Sequence, residues 1–121
     1  MFNKLILVGR LGADPTMRFT PSGQAVTSFS VATDRQYTQD GQTVKETTWF
    51  RVTAWGKLGE NCNNFLKKGK LVLVEGRLTP DKDGGPRIWT DNEKQPRASY
   101  EVTAEAVKFL SAKDDQQDEG F

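Results

Sequence analysis

The sequence predicts an all-β fold, a small barrel or sandwich of short strands with one helix. Short runs rich in β-branched and aromatic residues recur along the 121 residues, and Gly, Pro and Asp-Gly turn signals separate them. A single segment has helical periodicity, and it lies between the third and fourth predicted strands. Gly76 falls inside the fourth strand, where a glycine indicates a bulge or the sharp bend that closing a small barrel requires.

Three strands are predicted before the helix. They occupy residues 2–8, 25–33 and 48–55. Residues 17–20 resume extended structure between the first two, after the break at Pro15. A long polar β-hairpin, residues 34–47, joins the second strand to the third, and Asp-Gly at its centre is a strong hairpin signal.

The third strand has two unlike faces, because successive side chains point to opposite sides of a strand. One face is apolar and consists of Phe50, Val52 and Ala54. The other face carries two indoles and a guanidinium and consists of Trp49, Arg51, Thr53 and Trp55. Aromatic planes with cations suit a single-stranded nucleic acid, since unstacked bases need flat surfaces and phosphates need positive charge. Packing of both indoles against a second sheet or a subunit is the open alternative.

The helix is predicted over residues 57–68. Leu58, Cys62, Phe65 and Leu66 form a narrow apolar stripe, and two lysines and Gly69 follow as C-terminal signals. Cys62 lies on this stripe, so it is interpreted as a small buried hydrophobic residue.

The second half of the chain completes the barrel. Residues 70–79 and 98–110 read as strands, and residues 80–97 as a loop or loose hairpin. Trp89 lies in this hydrophilic segment, where an indole is costly to expose unless it docks on something. One helix between the third and fourth of five strands is the arrangement of the OB-fold, a Greek-key barrel that binds oligonucleotides or oligosaccharides.

Composition excludes several function classes. The chain has one cysteine and no histidine, so a disulfide framework, a Cys/His zinc site and histidine-based catalysis are ruled out. No apolar run reaches 18 residues, and no spacing indicates paired carboxylates, a phosphate-binding loop or a metal site. We therefore expect a binding protein, not an enzyme, with no cofactor, small-molecule substrate or membrane span. The start of the chain resembles a strand more than a targeting segment, which favours a cytoplasmic location. We expect association with the nucleoid.

The net charge of the chain is +1, but the charged residues are distributed unevenly along it. Residues 111–121 contain one of the 17 basic residues and four of the 16 acidic ones, a net of −3. Residues 1–110 keep 16 basic against 12 acidic residues, a net of +4. The prediction is one mildly basic folded domain, residues 1–110, followed by a disordered acidic tail, residues 111–121.

Several motifs together resemble bacterial single-stranded DNA-binding proteins of the replication type. In order they are NKLILVGRLGADP, MRFTPSGQAV, FSVAT, WFRVTAWGKLGE, FLKKG, VLVEGRL and WTD. They cover essentially residues 2–107 at the spacing of that family. The resemblance implies an OB-fold protein, usually a homotetramer, that coats single strands exposed in replication, repair and recombination.

The resemblance also implies site residues. The aromatic residues that would stack on bases are Trp49, Trp55, Trp89 and, in the long hairpin where the family usually has Trp, Tyr37. Candidate phosphate contacts are Lys4, Arg10, Arg35, Arg51, Lys57, Lys68, Arg87 and Arg97. For Arg77, a structural ion pair with Glu75 or Glu101 is as consistent with the sequence as a phosphate contact.

The acidic end resembles the family's partner-docking tip, which typically closes with Pro-Phe. The corresponding residues here are Asp114, Asp115, Asp118, Glu119 and Phe121, with Gly120 where Pro is expected and without the usual long linker. A terminal Phe flanked by acids can enter an apolar pocket rimmed by basic residues of a replication or repair protein. A tail that only improves solubility is the alternative.

Two other functions remain open at this point. The first is a primosomal replication protein, which shares the OB-fold and looks like a shortened relative of the single-stranded DNA-binding proteins. An OB-fold assembly module would bury the same aromatic residues between subunits.

Overall fold

The computed structural model describes residues 1–111, which form seven strands and one helix. The elements are, in chain order, β1 (Leu5–Leu11), β2 (Thr16–Phe19), β3 (Ala25–Gln39), β4 (Gln42–Trp55), α1 (Gly56–Phe65), β5 (Leu71–Leu78), β6 (Arg87–Thr90) and β7 (Pro96–Phe109). Apart from Ser111, the predicted tail lies outside the described residues.

Five strands close into a barrel. The order around it is β1, β5, β7, β4 and β3, and pairing of β1 with β3 at Arg10–Ala32 and Leu11–Val31 completes the ring. All of these pairs are antiparallel except β4 with β7, which run parallel. β2 extends the sheet beyond β3, and β6 lies off this path and pairs with β7. The predicted five-stranded OB-fold is confirmed.

Two details differ from the sequence prediction. The helix follows the fourth strand because Thr16–Phe19 pairs with β3 as a strand of its own, whereas the prediction left that segment uncounted. The segment predicted as a loop or loose hairpin is a hairpin, since Arg87–Thr90 pairs with the start of β7. Trp89 therefore stands on a strand and not in a loop.

The core follows the alternation of the strands. Five valines have almost no exposed surface, and they belong to four strands of the barrel: Val31 on β3, Val52 on β4, Val72 and Val74 on β5, and Val102 on β7. The face predicted for β4 is confirmed, because Val52 and Ala54 are buried while both tryptophans of that strand are exposed. Burying a valine side chain stabilises the fold by roughly 1.5–3 kcal/mol, so this small core carries much of the folding free energy.

The helix is shorter than predicted. It ends at Phe65, because Leu66 adopts an extended backbone and turns its side chain into the core. Phe65 was expected on the apolar stripe, but it is exposed and packs against Phe109, with 5.7 Å between ring centroids. Gly69, expected as the helix cap, instead has a positive φ in the turn that leads to β5.

Cys62 lies in the core, as predicted. Its side chain has no exposed surface. Burial raises the pKa of its thiol to about 11, because a thiolate would lose its hydration there. The thiol is therefore protonated at neutral pH, and its role is that of a small apolar side chain.

Gly76 marks the predicted bulge. The β5–β7 register shifts between Glu75 and Gly76, and at this point the two strands approach closely. A Cβ atom built on Gly76 would lie 2.1 Å from the carbonyl oxygen of Thr103. No side chain fits there, so the bend that helps to close the barrel depends on glycine.

We predict that Gly76→Ala lowers the free energy of unfolding by about 1–3 kcal/mol, because the new methyl group must push two paired strands apart. Urea denaturation measures the change. Gly85→Ala is the matched control, since its Cβ would meet nothing within 4 Å. Equal stability of the two variants would contradict the close approach of β5 and β7.

Candidate nucleic-acid interface

Two hairpins diverge from one point at the end of the barrel. The parallel β4–β7 ladder runs only from the Phe50–Tyr100 pair to the Thr53–Thr103 pair. On the N-terminal side of that ladder β4 stays paired with β3 out to Gln39–Gln42, whereas β7 pairs with β6. The strands separate at Phe50 and Tyr100 because each continues with its own hairpin partner. We call this point the fork.

A cleft opens between the two hairpins above the fork. Its volume is about 750 Å³. We call it the hairpin cleft; its lining includes Trp49, Phe50 and Arg51 from β4 and Arg87, Trp89 and Tyr100 from β6 and β7. Two of the three tryptophans predicted to stack on bases therefore meet in one cleft, with two of the predicted cations.

Trp49 is held against backbone. Its indole is 53% exposed, and a Cβ atom on Gly12 would lie 2.5 Å from its Cζ3 atom. The ring thus rests on the bare backbone that follows β1, which fixes its position while half of its surface faces solvent. The small size of Gly12 is what permits this contact.

Trp89 is fixed by a hydrogen bond. Its Nε1 donates to Oγ of Ser99 over 2.9 Å, and 39% of its surface is exposed. The Arg87 guanidinium lies 5.9 Å from its ring centroid, within the range of a cation–π contact. Arg87 also pairs with Glu101, at 3.8 Å between Nη1 and Oε2. A rigid indole with a cation beside it is available to a ligand in the cleft.

Arg51 supplies exposed positive charge on the same face. It lies opposite Ser30 in the β3–β4 ladder and opposite Glu101 in the β4–β7 ladder. Within residues 1–111 it forms no ion pair, so its guanidinium is available to an anionic ligand.

Trp55 lies outside the hairpin cleft, at the other end of β4. It lies six positions after Trp49 on the same face of the strand, at a distance of about 20 Å. Its indole is 44% exposed, and its cross-strand neighbour Val26 is buried. Lys57 follows it and pairs weakly with Glu60 at 3.8 Å. The exposed face of β4 therefore carries one indole near its middle and another at its C-terminal end.

Tyr37 lies far out on the β3–β4 hairpin, opposite Val44. The Arg35 guanidinium stacks on its ring at 4.7 Å from the centroid and also pairs with Glu46 at 3.0 Å. One face of the phenol ring is thus already covered by a cation, whereas Trp49 and Trp89 keep more open surface.

The other predicted cations are scattered. Lys4 pairs with Glu75 at 3.7 Å on the β1–β5 side of the barrel, and Nη1 of Arg10 donates to the carbonyl oxygen of Gly69. Lys68 belongs to the turn after the helix. None of these three cations lines the hairpin cleft.

Arg97 and Arg77 have structural partners. Arg97 lies opposite Trp89, and its Nε donates to Asp91 over 2.9 Å. A backbone hydrogen bond from Gln95, followed by the bond from Arg97, lowers the pKa of Asp91. Arg77 pairs with Glu105 at 3.9 Å, so both partners proposed for it from the sequence were wrong.

Sequence reasoning missed residues that only the fold brings to the cleft. Gly12, Ser99 and Tyr100 come from three separate segments, and none carries a local signal of binding. The docking residues proposed in the tail lie outside the described part of the chain.

The structure also bears on metals and membranes. Among residues 1–111, no group of three or more His, Cys, Asp or Glu side chains could hold a metal ion. In the same range no helix has the length and apolarity needed to cross a membrane.

Comparison with known proteins assigns the family. The model of the single-strand binding protein family matches residues 2–110. The chain belongs to that family.

Similar family members come from several bacteria. Proteins named single-stranded DNA-binding protein from Wolinella succinogenes and Neisseria meningitidis are each 40% identical over 114 residues, and one from Thermotoga maritima is 41% identical over 113. Each match covers 93% of this chain. It covers 67%, 62% and 76% of those proteins respectively, so the chain spans about two thirds of its relatives' length.

We predict that Gly12→Ala displaces Trp49 without unfolding the barrel. The atoms that must yield are the far end of one side chain, so the free energy of unfolding should change by less than about 1 kcal/mol. The displaced indole should become more exposed, and the emission maximum of the protein should move to longer wavelength. The same substitution in a Trp49→Phe chain is the control, because a shift there would have to come from another indole.

Proposed function

We propose that this protein binds single-stranded DNA without sequence preference and protects it during replication, repair and recombination. One observation carries the proposal: Trp49 and Trp89 stand half-exposed in a single open cleft, with Arg51 and Arg87 beside them. Membership of the single-strand binding protein family and the names of its relatives support the same conclusion.

The proposed mechanism combines stacking with charge. Bases stack on Trp49 and Trp89 in the hairpin cleft, on Trp55 at the far end of β4, and on Tyr37 along the β3–β4 hairpin. Stacking contributes about 1–3 kcal/mol per base and every base has a flat face, so binding is general. A duplex hides these faces inside its stack and is therefore bound poorly.

Cations add the phosphate contribution to binding. Arg51 and Arg87 are the strongest candidates because they line the cleft, with Arg97 and Arg35 on its two hairpins and Lys57 beside Trp55. Lys4, Arg10 and Lys68 would contact a strand only if it continued around the barrel. Each phosphate that is neutralised releases condensed counterions, so affinity falls as salt rises.

The first experiment is a titration of intrinsic tryptophan fluorescence with oligo-dT, with a duplex of equal length as control, at several salt concentrations. We expect strong quenching by the single strand alone, with a midpoint that moves to higher concentration as salt increases. Absence of quenching by either DNA would contradict the proposal and favour an assembly module with its indoles between subunits.

A second experiment tests Trp55, which stands apart from the cleft. We predict that Trp55→Ala weakens oligo-dT binding by about 1–3 kcal/mol, the contribution of one stacked base. Trp55→Phe should keep most of the affinity because it keeps an aromatic plane. Fluorescence anisotropy of a labelled oligonucleotide measures both, and unchanged affinity of Trp55→Ala would remove Trp55 from the site.

We also propose that the protein forms a homotetramer. The outward face of β1 supports self-association, since Ile6 and Val8 are exposed apolar side chains on a strand whose inward residues are buried. Docking of replication and repair proteins on the acidic tail stays a proposal from the sequence.

A further inference from the structure

We propose that Tyr100 is a further base platform, placed where a bound strand leaves the hairpin cleft for a second groove. A base platform here means an aromatic side chain on which a base can stack. The inference rests on the DNA-binding function proposed above and adds a residue that the sequence resemblance does not include.

Tyr100 is exposed, although it lies on the face of β7 that points into the barrel further along the strand. Val102, two residues later on the same face, is buried, whereas 60% of the Tyr100 surface is exposed. The core has ended at the fork, so the ring projects into the opening between the hairpins. Phe50 supports it from one side, with centroids 5.7 Å apart and the rings tilted by 37°.

A supported ring with open surface is well suited to stacking. The Phe50 contact restricts the motion of Tyr100, so little side-chain freedom remains to be lost when a base stacks on it. The hydroxyl group keeps the exposed edge compatible with water. An aromatic residue placed here only to fill the core would have been buried.

A second groove is also lined by Tyr100. Its volume is about 410 Å³, within the range of about 300–1,000 Å³ that is typical of small-ligand pockets. We call it the exit groove; its lining includes Leu78, Pro80 and Pro86, and it shares Ser99 and Tyr100 with the hairpin cleft. The two spaces are thus neighbours that meet at Ser99 and Tyr100.

Because the exit groove adjoins the hairpin cleft, its occupant is the next nucleotide of the same strand. A strand whose bases stack on Trp49 and Trp89 must leave the cleft, and at the fork the exposed aromatic surface is Tyr100. The exit groove offers an apolar lining for a base. Among its described lining residues the one acid is Glu101, whose Oε2 lies 3.8 Å from Nη1 of Arg87, so the positive charge of Arg87 offsets part of the negative charge near a bound phosphate.

Two variants of Tyr100 separate stacking from packing. Tyr100→Leu removes the aromatic plane but keeps apolar contact with Phe50, whereas Tyr100→Phe keeps the plane. We expect Tyr100→Leu to weaken oligo-dT binding about fivefold or more and Tyr100→Phe to change it less than twofold. Phe65→Leu is the matched control, because Phe65 is equally exposed (62%) and lines neither groove.

Photo-crosslinking tests the unmodified chain, so the result does not depend on the folding of a variant. An oligonucleotide carrying 5-iodouracil is irradiated with the protein, and the adducts are mapped by mass spectrometry. An adduct on Tyr100, together with the weakened Tyr100→Leu variant, supports the proposal.

The possible failures are distinguishable. If the unmodified protein binds oligo-dT but Tyr100→Leu binds equally well and no adduct forms on Tyr100, this inference is overturned and the proposed function stands. If the unmodified protein does not bind oligo-dT, the proposed function itself fails, and this inference fails with it.

Discussion

The short parallel ladder between β4 and β7 is the constraint on which the candidate site depends. Its four residue pairs close the barrel on one side and then stop at Phe50 and Tyr100. A longer ladder would pair the two hairpins with each other and remove the cleft. A shorter one would leave the barrel open at Val52 and Val102, which the core buries completely. Closure of the core and opening of the cleft are thus decided at one place.

Three aromatic side chains in the cleft are each fixed by a different contact. Trp49 contacts the backbone at Gly12, and Trp89 donates a hydrogen bond to the hydroxyl of Ser99. Tyr100 packs against Phe50. Fixing a ring before binding reduces the entropy that stacking must overcome. The positive charge beside the rings is less uniform, because Arg51 is unpaired within the described chain whereas Arg87 is shared with Glu101.

Strands and core were predictable because both follow local alternation. The inward set of β4, the bulge at Gly76 and the burial of Cys62 could be read directly, since each needs only a period-two pattern or one residue's chemistry. The helix end was missed because Leu66 leaves the helix to reach the core, a tertiary preference that overrides helical periodicity. The partner of Arg77 was missed for a related reason, since the β5–β7 register selects Glu105.

The sequence by itself determined the fold class, the family resemblance and the exposed indoles of β4, because these depend on alternation and on motif spacing. The tertiary structure alone decided which aromatic residues share a cleft. Trp49 and Trp89 are 40 positions apart in the chain and meet only because β4 and β7 are neighbours. Trp55 lies on the same strand as Trp49 yet stands outside, because strand geometry carries it to the far end of the barrel. Contact across a sheet depends on strand order, which no local pattern encodes.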